Sequence, residues 1–408
     1  MTRILLITLL FITSFNVHAQ KNVRQSLSTA KEYIKKESNL DKAETMMRTL
    51  LKDSANKQNE KIWNLLCQSL KKQYEQENEK FYLSKKPVFE KIVSSQKRQQ
   101  VDTTKFFNIT KRLFDAYQGF DSIDIKQKHR DENATYLYPL RANLYSAGLY
   151  HINKHDYKTA ATFLNEYLDT RKAPLFTSFS ENNDTLASHA AYWLVFCAYN
   201  NQDYATVLRN YPLAMTDTLH QPYLLQYVSE TYKQQNDTAN YLATLEMGYN
   251  LKPLQPYFFS ALYQHSMHAD DFKTAHKLAA QAHHNYPQDT IYALALCGVN
   301  LQEGNYDEVI TLSDTLLQRD STIADAYSYA GLARFYKATA NRQSLNHTKQ
   351  YRKKVLQCYQ QALPYLERYR TMRPNQKRIW GLPLYTIYLN LNRGKQFEEI
   401  EQLLKKNQ

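Results

Sequence analysis

Tyr204, Thr238, Phe272 and Tyr306 follow one another at intervals of 34 residues without slippage. The same stride links Val207, Tyr241, Ala275 and Val309, and it separates Pro253 from Pro287. A period of this length is that of one helix–turn–helix unit, which cannot bury its apolar face alone and must stack on copies of itself. The chain is therefore read as a row of helix pairs. Only 8 Gly and 11 Pro among 408 residues argue against a β-rich or disordered chain, and 43% hydrophobic residues supply an ample core. The 33 Tyr are well above ordinary usage, and most are expected to fill gaps between packed helices.

The segment from Pro256 shows one unit in full. An apolar stretch, Tyr257-Phe258-Phe259, leads to an Asp270-Asp271 turn. A second stretch carries the small residues Ala275, Ala279 and Ala282, and Pro287 ends it. Leu144, Ala147, Gly148, Asp156-Tyr157 and Ala160 give an earlier unit; Leu194, Asp203-Tyr204 and Val207 the next; Val228, Tyr232, Asp237 and Pro253 a third; Leu296, Gly304-Asn305-Tyr306 and Val309 a fifth. This coupled spacing resembles the tetratricopeptide repeat (TPR) family. The resemblance implies an all-α, TPR-like α-solenoid, a right-handed superhelix of antiparallel helix pairs. It runs well over 136–408 and loosely over 22–135.

The expected organisation is a signal peptide over 1–19, a divergent helical region over 20–135, five TPR-like pairs over 136–325, and an extended pair with a basic insertion plus a C-terminal capping pair over 326–408. Within 20–135, Ala30, Leu40, Ala43, Met47 and Leu50 suggest one pair, whereas Lys85–Asn133 reads as helical but too charged and irregular to place in register. In the sixth unit, the set Ala362, Leu366, Tyr369 and Pro374 arrives late, which implies the insertion.

Arg3, the apolar run Ile4–Ile12 and the small residues Val17 and Ala19 read as a secretory signal cleaved after Ala19. The run is shorter than the roughly 20 residues that span a bilayer, no later segment is long enough, and no cysteine occurs before Cys67 to carry a lipid. The expected location is the periplasm or cell envelope, with no transmembrane segment. Cys67, Cys197, Cys297 and Cys358 lie far apart within helices. Only Cys297 with Cys358 is close enough in the stack for a disulfide, and buried free thiols are the favoured expectation.

Charge is uneven. Between Lys337 and Arg378 stand eleven basic residues against one acid, ten of the chain's thirteen net positive charges. The patch Arg352, Lys353, Lys354, Arg368, Arg370, Arg373, Lys377 and Arg378 suits an acidic protein, an anionic glycan or a membrane surface. An exported chain makes nucleic acid a poor partner, and long solvated helices account for the same charges equally well.

No HExxH, GxSxG, Walker or GxGxxG motif is present, so no catalytic residue, cofactor or metal is expected. Histidines do cluster at His265, His268, His276, His283 and His284, and His151 and His155 are four apart. Imidazoles at helical spacing can bind zinc. No Cys or Glu stands beside them in the same unit, and two fall at packing positions. Asp-(Ser/Thr)-apolar or -Thr tripeptides begin at nine aspartates, far more often than chance, and resemble the acceptor motif of the general O-glycosylation system of Bacteroidota. The candidate acceptors are Ser54, Thr103, Ser122, Thr185, Thr218, Thr238, Thr290 and Ser321; Thr315 falls inside a predicted helix and is set aside. Helix capping by Asp explains several of these sites without glycan.

By register, the TPR resemblance places Tyr145, Tyr192, Gln226, Ser260 and Leu294 on one row of a concave groove and Asn153, Asn200, Gln234, His268 and Gln302 on another, with Lys233 nearby. Amides and imidazoles at such positions suit the backbone of an extended peptide. Lys233 alone does not make the charged carboxylate clamp of some TPR domains. The whole resembles the exported TPR proteins of Bacteroidota. That resemblance implies a non-catalytic scaffold or adaptor for a protein or peptide partner in the envelope. A glycan-binding repeat protein is the alternative, and a metal-dependent enzyme using the histidine cluster is a third reading.

Overall fold

The computed structural model describes residues 22–85, 102–179, 184–340 and 349–405. Residues 1–19, read above as a signal peptide, and Arg342 lie outside them. All regular structure among the described residues is helical.

The chain divides into two compact units, residues 1–235 and 236–408. The first contains α1 (22–35), α2 (Leu40–Leu51), α3 (Glu60–Lys85), α4 (Thr103–Ile123), α5 (Arg130–Leu137), α6 (Arg141–Asn153), α7 (Tyr157–Asp169), α8 (Ala187–Asn200), α9 (Tyr204–Ala214) and α10 (Gln221–Gln234). The second contains α11 (Thr238–Leu251), α12 (Pro256–His268), α13 (Phe272–Asn285), α14 (Thr290–Glu303), α15 (Tyr306–Arg319), α16 (Ala324–Ala340), α17 (Lys349–Met372), α18 (Lys377–Asn390) and α19 (Gly394–Lys405). Within each unit most helices pack on their successors, and the first helix of a pair also meets the first helix of the next: α6 on α8, α8 on α10, α12 on α14, α14 on α16. This nearest-neighbour pattern is that of a TPR-like solenoid.

The 34-residue stride has a local cause. Tyr204, Thr238, Phe272 and Tyr306 each take the first position of their helix. Asp203, Asp237 and Asp271 cap these helices by accepting from the backbone N–H of Thr206, Asn240 and Thr274 at 3.1 Å. The residue before each cap is left-handed: Gln202 at φ 60, Asn236 at 58, Asp270 at 56 and Gly304 at 81. In the same turns the amides of Asp203, Asp271 and Asn305 reach back five residues to the carbonyls of Ala198, Ser266 and Asn300 at 2.8–2.9 Å. One helix is thus closed and the next opened within three residues. At the far end, Lys252 and Tyr286 leave the helical region immediately before Pro253 and Pro287, the conformation that a following proline favours.

Close approach follows from small side chains. Ala275, Ala279 and Ala282 are wholly buried, and a Cβ on Gly148 would lie 2.5 Å from Leu164 Cγ. Tyrosines fill the remaining gaps and anchor their hydroxyls on main chain: Tyr263 donates to the carbonyl of Ala295 at 2.8 Å, and Tyr292 to that of Pro253.

Sequence reasoning left 85–133 without register, and the structure corrects this for its described part. Helix α4 packs on α3 and buries Phe106, Phe107, Leu113, Phe114, Tyr117 and Phe120. These positions follow a helical stripe, while Lys105, Lys111, Arg112 and Asp115 lie on the other face and gave the stretch its charged look. Three of the charges cross to other helices, Lys105 to Glu77 at 2.8 Å, Arg112 to Glu44 at 3.0 Å and Lys111 to Glu166 at 3.6 Å.

Candidate functional site

His189 stands in the first turn of α8, while Asp217 and His220 belong to the turn between α9 and α10. The turn orders itself: Asp217 Oδ1 accepts from Leu219 N at 3.2 Å, and the amide of His220 donates to the Asp217 carbonyl at 3.3 Å. His220 is the N-cap residue of α10 but its side chain caps nothing; its Nδ1 instead lies 2.7 Å from Asp217 Oδ2.

Aromatic residues surround the two imidazoles. Tyr192 stacks on His220 with ring centres 4.4 Å apart, and the two histidine rings lie 5.1 Å from each other. Tyr145, reaching from α6, places its hydroxyl 2.5 Å from His189 Nδ1. Trp193, one turn along α8, donates its indole N–H to His189 Nε2 at 3.3 Å. An indole N–H can only donate, so Nε2 holds a lone pair and Nδ1 carries the proton shared with Tyr145. One ligand atom from each of His189, Asp217 and His220 falls within 4.8 Å of the others. Burial lowers the His189 pKa, with Asp217 opposing and His220 adding to the effect. Burial, aided by Asp217, raises that of the Tyr145 phenol.

Beside this cluster the aromatic surface continues along α8 and α10. Trp193 meets Phe196 edge-on at 5.6 Å, Phe196 meets Tyr227 at 5.8 Å, and Tyr227 meets Tyr199 at 5.2 Å. Leu219 (76% exposed) and Tyr223 (53%) complete an apolar patch open to solvent.

The residues proposed from sequence are dispersed differently. Tyr145 and Tyr192, assigned to an open groove, are buried, because each is consumed in contact with a histidine. Gln226, Ser260 and Leu294 are half-buried, whereas Asn153, Asn200, Gln234, His268 and Gln302 are all exposed at the last turns of their helices. Asn200 donates to the carbonyl of Phe196 at 2.8 Å, and Lys233 lies 4.0 Å from Glu230. His265, His268, His276, His283 and His284 do not converge with any third ligand into a metal-sized group among the described residues. His276 pairs with Glu303 at 2.6 Å, and His151 stacks on Phe163. The cluster that does form joins residues 189 and 220 from successive pairs, and the only sequence signal was an Asp-x-x-His at the start of a helix. Of the basic residues, Arg352, Lys353, Lys354, Arg368, Arg373 and Arg378 are exposed, Lys377 is half-buried, and Arg370 pairs with Glu399.

Among the glycosylation candidates, Ser54, Ser122, Thr185, Thr218, Thr238 and Ser321 are exposed and Thr103 and Thr290 half-buried. Their aspartates have structural duties: Asp53, Asp102, Asp237 and Asp289 cap helices, and Asp121 and Asp184 pair with Arg130 and Arg141. A cleft of about 340 Å³ lined by Gln118, Asp121, Asp124, Arg130 and Pro174 has its charges satisfied internally, through Arg130 on Asp121 and the His129 amide on Asp124.

No model of a known protein family matches the chain, and no curated protein does. Among solved structures, a tetratricopeptide repeat protein from Parabacteroides merdae is similar over 65% of this chain and 97% of its own, at 12% identity and a TM-score of 0.36. A TPR repeats protein from Bacteroides fragilis is similar over 60% and 96%, at 18% identity and a TM-score of 0.30. No helix among the described residues is long and apolar enough to cross a membrane.

Proposed function

We propose that the chain is a non-catalytic scaffold of the cell envelope that holds a protein or peptide partner on the exposed face of α8 and α10. The observation that carries this reading is the juxtaposition of half-exposed rings, Trp193, Phe196, Tyr199, Tyr223 and Tyr227, with the exposed amides Asn200 and Gln234 at the ends of the same two helices. Rings supply apolar area at low cost in side-chain freedom, and amides can meet both the N–H and the C=O of an extended backbone. The leader sequence supports an envelope location, and the arginines and lysines of α17 supply an electrostatic approach for an acidic partner.

A glycan is the second reading, favoured by the same stacked rings. Site-specific photo-crosslinking from Tyr223 in the native envelope separates the two. The expected result is a discrete polypeptide adduct that weakens when Asn200 and Gln234 are both replaced by Ala. Carbohydrate adducts alone would support the glycan reading and overturn the first.

A further inference from the structure

We propose that His189, Asp217 and His220 form a binding site for a divalent transition-metal ion, zinc by the chemistry of the donor set. Two imidazoles and one carboxylate, with no thiolate beside them, suit zinc and leave a fourth position open. At His189 the tautomer is the one a metal needs: Tyr145 holds the Nδ1 side, and Nε2 carries a lone pair. At His220 it is Nδ1 that faces Asp217 Oδ2, at 2.7 Å, and a metal ion seated between the two would displace the proton they share. A hydroxyl behind a ligating histidine fixes its ring.

The spacing is close to what is required. Zinc–nitrogen bonds of about 2.0–2.1 Å put tetrahedral ligands about 3.3 Å apart. The donors lie within 4.8 Å of one another, so they must close by up to about 1.5 Å, a change within reach of side-chain rotation. Two existing hydrogen bonds are lost: the one between His220 and Asp217 releases its proton to solvent, and the indole N–H of Trp193 leaves His189 Nε2. At 3.3 Å that bond is long and its loss is small against a metal–imidazole bond. Bound metal would clamp the 217–220 turn to the start of α8, fixing the entry of α10 and the rings stacked on it. This inference rests on the ligand geometry alone and does not depend on what the aromatic face binds.

The displaced indole provides a direct reading. In full-length protein with Trp63→Phe and Trp380→Phe, Trp193 is the sole tryptophan. Zinc is expected to shift its emission, to be retained at one equivalent on equilibrium dialysis, and to be reversed by a chelator. Cobalt in its place is expected to give the visible absorption of a four-coordinate nitrogen and oxygen site. His220→Gln and His189→Gln should each weaken binding at least tenfold, whereas His265→Gln with His268→Gln should leave it unchanged. Retention of a full equivalent by the double variant His189→Gln/His220→Gln with native helical circular dichroism would overturn the proposal. So would a zinc titration that leaves both the dialysis balance and the Trp193 emission unmoved in otherwise unsubstituted protein.

Discussion

Arg141 and Asp184 form a buried ion pair, Nη2 to Oδ2 at 2.7 Å, that ties the start of α6 to a segment 43 residues further along. Arg141 also donates Nε to Thr170 Oγ1 at 2.7 Å, and the Tyr167 hydroxyl donates to the other oxygen of Asp184 at 2.5 Å. Removing one partner leaves an uncompensated charge in a dry site, which costs roughly 3–5 kcal/mol. Asp184→Ala should therefore lower the urea midpoint of the first unit strongly. Arg171 Nε also lies 3.6 Å from Asp184 Oδ2, so it is the triple variant Arg141→Met, Arg171→Met and Asp184→Leu that should cost far less, because no charge is left behind. Equal losses from the two variants would contradict this account.

The left-handed turns give a second expectation. A non-glycine residue in this conformation is strained by about 1–2 kcal/mol, and glycine recovers that at the expense of greater freedom in the unfolded chain. Gln202→Gly and Asp270→Gly should each add roughly 0.5–1 kcal/mol, and Gly304→Ala should remove about 1 kcal/mol. Chemical denaturation of the three single variants tests the opposite signs.

Acid should loosen the caps. Asp237 and Asp271 have lowered pKa values, first because the side chains of Asn240 and Thr274 donate to them and then because the backbone amides of the same residues do. For a carboxyl depressed below its ordinary 3.8, the stabilisation is fully present above that value and is lost as pH falls through the lower folded value. Stability is expected to be flat from neutrality to about pH 5 on this account and to fall below about pH 4. Asp237→Asn should flatten part of that fall. A denaturant midpoint equal at pH 3 and pH 6 would speak against it.

Thiol chemistry should be slow. All four cysteines are free, and burial raises the thiols of Cys197 and Cys297 to about 12 and that of Cys67 as well. Reaction with a thiol reagent requires thiolate and access. In native protein the half-buried Cys358 should react first and the other three only after denaturation. Rapid native labelling at Cys197 would show that α8 opens readily.

Arg352, Lys353 and Lys354 are exposed, so reversing all three to Glu should preserve the fold and should not lower the helical circular dichroism. If α17 steers an acidic partner, the reversal slows association and flattens its salt dependence, whereas Tyr223→Ala mainly speeds dissociation. Surface resonance at two ionic strengths separates the rates.

The period was legible because it is written in turns and small residues, which act locally: Asp203, Asp237 and Asp271 cap, and Ala275 and Ala279 pack, wherever the helices sit. The stripe of α4 was present too, but it was read together with charges that the fold sends to the opposite face. The histidine–aspartate cluster was not legible. Its members are distant in sequence, and only the packing of α6, α8 and the α9–α10 turn brings Tyr145, His189 and His220 together. Density of histidine along the chain pointed instead to α12 and α13, where the side chains diverge.

Helix α17 runs for 24 residues, about 36 Å at a 1.5 Å rise, whereas α16 beside it runs for 17, about 26 Å. The surplus carries Lys349, Arg352, Lys353 and Lys354 in its opening turns, with no acidic residue in the first turn. That end of a helix already bears partial positive charge from its aligned peptide dipoles, so cations there oppose it. The longest described helix of the second unit thus carries an electrostatic weak point in its opening turns, and its fraying should respond to the medium: salt, sulfate or a polyanion added to the buffer should lengthen the ordered helix, and dilution should shorten it.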